Sequence, residues 1–128
     1  MSAYESTGEF TIEMTPAEGL IEGTSRFDFS KLWTGAVDGT SAGVMMSGGD
    51  PAVGEAGYVA MERFEGTVDG RAGSVALQQI GAMSGGEASM SYAVVPGSGT
   101  HELAGMEGEI DLDTAEGHRV TLRYTIPD

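Results

Sequence analysis

The stretch Y-V-A-M-E-R-F-E-G-T-V, from Tyr58 to Val68, carries a carboxylate in an otherwise apolar register. Side chains of an extended strand alternate between two faces, so Tyr58, Ala60, Glu62, Phe64 and Val68 fall together, opposite Val59, Met61, Arg63, Glu65 and Thr67. The first face is the more aromatic and is assigned to the interior, which aims Glu62 into an apolar surround. Desolvation there raises a carboxyl pKa and makes the group a proton donor or acceptor near neutral pH. Glu62 is the first candidate for acid–base chemistry. The competing assignment is a rim carboxylate paired with Arg63 or Arg71.

Gln79 alternates with Val75 and Leu77, so it shares that interior, where it would orient a ligand carbonyl or satisfy Glu62. His101 closes the turn P-G-S-G-T-H and is the second catalytic candidate, a proton shuttle at the mouth of the fold. The turn has neither the lysine nor the following helix of a phosphate loop. His101 and His118 are the only imidazoles, and D-L-D-T-A-E-G-H lacks the ligand offsets of a calcium loop, so no metal is expected. Ser98 has no nucleophile-elbow context. No cofactor is implied. Met45, Met46, Met61, Met83 and Met90 add apolar bulk to the aromatic residues. If the fold encloses a ligand cavity, Trp33, Tyr58, Phe64, Gln79 and Tyr92 are its expected walls.

The elements that position these residues read as strands. No window carries a sustained helical stripe, whereas period two recurs. In H-R-V-T-L-R-Y-T-I, Val120, Leu122, Tyr124 and Ile126 share one face. Met106, Ile110 and Leu112 do so in the preceding segment, and Met90, Tyr92 and Val94 in the one before. The pattern G-x-V-D-G occurs twice, at Gly35 and Gly66, and each copy is read as a hairpin tip at Asp38-Gly39 and Asp69-Gly70. Gly85-Gly86 and Gly117 serve later connections. Strands are expected near 7–14, 24–34, 40–47, 56–68, 71–81, 87–95, 102–113 and 118–126. Eight antiparallel strands with short loops predict one all-β domain over residues 1–128, a closed eight-stranded antiparallel barrel of the lipocalin-like kind, with a two-layer sandwich as the alternative.

Composition narrows the function. The net charge is −14, from 20 acidic against 6 basic residues, which disfavours nucleic acid and anionic membrane surfaces as partners. There is no cysteine, so disulfides and thiolate chemistry are excluded. No run approaches the roughly 18 apolar residues of a membrane span, and the N-terminus lacks a secretory pattern, so a cytoplasmic location is expected. The 21 glycines are interleaved with eight methionines and nine aromatic residues, which argues for bends in a curled sheet rather than low complexity.

From Gly57 onward, Y-V-A-M-E-R-F-E-G-T-V-D-G-R-A-G-S, V-P-G-S-G-T and the terminal H-R-V-T-L-R-Y-T-I-P-D resemble the bacterial DUF3224 family, small proteins whose fold is similar to the allene oxide cyclase barrel. The resemblance covers roughly residues 24–128 and implies that barrel. The chain departs from it at Leu77-Gln78-Gln79, where the family commonly reads L-Q-H, and at His101, where it commonly reads glycine. Two functions of different class are expected: a barrel that binds a small apolar or amphipathic organic molecule in its lumen, or a cofactor-free isomerase, cyclase or lyase with Glu62, aided by His101, moving a proton. A non-catalytic scaffold is the third. Outward-facing Val59 and Met61 are the candidate contacts of a homo-oligomer.

Overall fold

The computed structural model describes residues 2–115 and 117–127. Eight antiparallel strands form a closed barrel in chain order: β1 Ser2–Ala17, β2 Thr24–Gly35, β3 Val37–Asp50, β4 Glu55–Val68, β5 Arg71–Ser84, β6 Glu87–Val94, β7 Glu107–Asp113 and β8 Arg119–Ile126. β8 returns to pair with β1 from Ser2↔Ile126 to Glu9↔Arg119. Each strand alternates inward and outward, and on β8 Val120, Leu122, Tyr124 and Ile126 are all buried, as their spacing predicts.

The two copies of the glycine pattern pair with each other. Val37 lies opposite Val68 and Gly39 opposite Gly66. A Cβ on either glycine would stand 2.8 Å from the other's Cα, so the backbones approach where only glycine fits. Asp69-Gly70 is a hairpin tip with positive φ at both residues, +51° and +80°. Asp38-Gly39 is not. It lies inside β3, and the β2–β3 turn falls at Gly35 and Ala36 instead.

The expected strand at 102–113 also divides. A 3-10 turn, His101–Leu103, drives Leu103 and then Met106 into the barrel, where they are 0% and 1% exposed, and β7 begins only at Glu107. Residues 95–100 stand in for a longer β6 by bonding to β5: Val95 N donates to Ala76 O, Thr100 N to Ser74 O, and Ala76 N to Ser98 Oγ. The glycine-rich turn is therefore part of the wall.

The wall is uneven. β3, β4 and β5 each have 14 residues, whereas β7 has 7 and β8 has 8. The β6–β7 ladder is the single pair Ala93↔Glu109. β1 beyond Phe10 and β6 before Tyr92 thus extend past the short strands. The lower half is a closed, packed cylinder with Trp33, Phe64, Val68, Leu103 and Met106 at its centre. The upper half is a trough of six strands, β1 to β6.

Candidate functional site

The inward face of β2 reads Phe27, Phe29, Lys31, Trp33. Lys31 is the only lysine in the chain, and it is 6% exposed. Its Nζ lies 2.9 Å from Glu62 Oε1 and 3.0 Å from the Tyr92 hydroxyl, which itself donates a short hydrogen bond to Glu62 Oε1. Ser41 Oγ donates to Glu62 Oε2 at 2.6 Å, and the Trp33 indole N–H donates to Ser41 Oγ at 2.9 Å. Four strands, β2, β3, β4 and β6, contribute to this network. Gly43, opposite Glu62 on β3, leaves room for it, since a Cβ there would stand 2.7 Å from Glu62 Cβ and from Phe29 Cζ. No buried side-chain nitrogen or oxygen lacks a partner among the described residues.

The network sits in a low-dielectric shell. Lys31 Nζ lies 4.2 Å from the Phe10 ring centre, 5.1 Å from Tyr92, 5.2 Å from Phe29 and 5.5 Å from Trp33. Ring faces favour the ammonium ion. Burial works against it and holds the Lys31 pKa below its ordinary value, while the charge and hydrogen bond of Glu62 pull it back only in part. Burial, reinforced by the Glu62 charge, pushes the Tyr92 phenol far above its usual range, so Tyr92 stays a hydroxyl donor.

Glu62 faces the interior, as its register predicts, but its surround is not purely apolar, and its cation is Lys31 rather than Arg63 or Arg71. Tyr92 joins it. Trp33 and Phe64 do not line open space: they pack edge-on at 5.8 Å in the lower half, where the enclosed void is about 20 Å³. Gln79 bonds Tyr58 OH at 2.6 Å and Met90 Sδ at 2.8 Å, not Glu62. Tyr58 is half-buried beside it, and burial raises its pKa. His101 is exposed, 3.2 Å from Thr100 Oγ1, and lines a recess of about 590 Å³ on the outside of the barrel with Arg63 and Glu65. Barrel wall separates it from Glu62, so the two do not form a catalytic pair. Val59 and Met61 point outward, 51% and 52% exposed.

Lys31 and Ser41 escaped the residue-by-residue reading. The signal for Lys31 was the alternation in F-D-F-S-K-L-W, which sets it in line with three aromatic residues.

Above the network the inward residues open by degrees. Glu62, Lys31 and Tyr92 are buried; Ile12, Phe27, Met45, Tyr58 and Gln79 are half-buried; Met14 and Met90 at the rim are 44% and 43% exposed. At the opposite end, Asp69 accepts from Ser6 and Tyr124, and Arg71 donates to Tyr4 OH at 3.0 Å and Tyr124 OH at 3.3 Å, latching β1, β8 and the β4–β5 turn together. Among the described residues no three His, Asp or Glu side chains form a metal-binding group, and no helix is long and apolar enough to cross a membrane.

These features define the class of fold: a closed antiparallel eight-stranded barrel. The model of DUF3224, a family of proteins of unknown function, matches residues 6–125, and the chain belongs to that family. It is similar to a crystal structure of a DUF3224-family protein of unknown function from Shewanella oneidensis MR-1, with 31% identity, a TM-score of 0.90 and 99% of each chain covered. No curated protein matches the chain.

Proposed function

We propose that the upper trough binds a small amphipathic organic molecule, with its apolar body among Met14, Phe27, Met45, Tyr58 and Met90 and its polar end over Lys31, Glu62 and Tyr92. The graded exposure of the inward-facing side chains, ending on a buried ion pair, carries this reading. Apolar walls with a few convergent polar groups are the usual make-up of a small-molecule site. Methionine rims adapt to ligands of different shape.

A buried ion pair adds little to stability compared with well-packed apolar residues, so its presence above a lower core made of apolar side chains favours a role toward a ligand. The test is calorimetric titration with 1-nonanol. Binding to the native chain, weakened at least about tenfold in Met90→Asp, supports the reading. Equal binding by both proteins, or no binding, overturns it.

The second reading is cofactor-free acid–base catalysis at Glu62. The observation favouring it is that Glu62 holds direct hydrogen bonds to a phenol and an amine, so a proton can pass among three groups.

A further inference from the structure

The chain has one side-chain primary amine, and that amine is inside the barrel. Its other basic side chains, apart from two histidines, are five arginines, none of them buried among the described residues. Lysines are ordinarily surface residues that supply solubility. Here the surface charge is carried without any, and the single lysine stands 2.9 Å from a carboxylate and 3.0 Å from a phenol, at the floor of the trough.

We propose that Lys31 captures a carbonyl compound: an aldehyde or ketone lying in the trough condenses with Nζ to form an imine. This rests on the trough being a ligand site and names the chemical class of the ligand. Guanidinium groups are always protonated and cannot do this chemistry, whereas a desolvated lysine can.

The three polar groups supply what the reaction needs. Glu62 takes a proton from the ammonium, leaving a neutral amine free to attack and a protonated carboxyl beside it. The Nζ lone pair attacks the carbonyl carbon, a C–N bond forms, and the carbonyl oxygen takes the Glu62 proton. The nitrogen then returns a proton to Glu62. The C–O bond breaks, the oxygen leaves as water with that proton, and C=N forms. Tyr92 holds the oxygen by hydrogen bonding throughout. The products are a protonated imine, which replaces the ammonium beside the Glu62 carboxylate, and one water, with nothing oxidised or reduced.

The experiment treats the folded protein with nonanal and cyanoborohydride at neutral pH, followed by intact mass and tryptic mapping. The expected result is one nonyl group on Lys31, read as loss of trypsin cleavage between Lys31 and Leu32. Excess 1-nonanol should suppress the labelling, and Lys31→Arg should abolish it. Labelling confined to the N-terminal amine, or none, overturns the proposal. Calorimetry with 1-nonanol separates the two ideas: the alcohol binding without Lys31 labelling removes the imine and leaves the trough as a site, whereas neither binding nor labelling removes both.

Discussion

Lys31 Nζ and Glu62 Oε1 stand 2.9 Å apart with 4% and 2% of their side chains exposed, so a complete ion pair is held between four aromatic rings in the middle of the barrel. Such a pair is asymmetric in its energetics. Removing one partner strands the other in low dielectric, at a cost of about 3–5 kcal/mol, while removing both is far cheaper. Urea denaturation of Lys31→Met, of Glu62→Gln and of the double substitution should show each single change costing about that much and the double costing less than either. Additive losses would mean that the two side chains do not depend on each other.

Stability should depend on pH from both ends of the network. The folded pKa of Lys31 is depressed, so the unfolded chain holds more protons between that value and 10.5, and this group's contribution improves as pH rises through the window. Tyr58, Tyr92 and Tyr124 are shifted up, the last to about 12, by burial above all. Their contributions are complete below pH 10 and are lost as pH climbs through the folded values. Thermal melts from pH 8 to 12 should therefore fall above pH 10, and Tyr124→Phe should lessen that fall. A melting temperature flat to pH 12 would contradict this.

The alternation of hydrophobic residues made most of the barrel legible. Val120 to Ile126 and Tyr58 to Val68 point where their spacing says, because burying one face forbids a register slip. What local reading misses is set by partners distant in sequence. Asp38-Gly39 has the dipeptide of a tight hairpin, yet pairing with Gly66 keeps Gly39 inside a strand. Leu103 and Met106 fall within the expected strand at 102–113, but filling the packed half of the barrel draws them out of it. Lys31 reads as a surface residue by type, and its partners Glu62 and Tyr92, 31 and 61 positions away, are what offset the cost of its burial.

The paired glycines give a third prediction. Gly39→Ala and Gly66→Ala each force a methyl against the opposing backbone, and thermal melts should show each destabilised by about 1–3 kcal/mol or more. Gly70→Ala, with nothing within 4 Å of the added atom, should suffer only the strain of its positive φ of +80°. Similar losses at all three sites would mean that close approach is not what selects glycine.

Asp69 supplies a fourth. It holds a φ of +51° in the turn while accepting from Ser6 and Tyr124. Asp69→Ala should cost about 1–3 kcal/mol in urea titrations, since it leaves two hydroxyl donors without their acceptor. Asp69→Asn keeps an acceptor and a side chain at ease with positive φ, and should cost less. The reverse order would remove the latch from the account.

The most direct test of the trough is methyl NMR on methionine-labelled protein titrated with 1-nonanol. Met14, Met45 and Met90 stand on the inward face above Lys31, and Met61 stands on the outside. The account predicts shifts at the three inward methyls that saturate together, with Met61 unmoved. Shifts led by Met61, or no shift at Met14, Met45 and Met90, would contradict it.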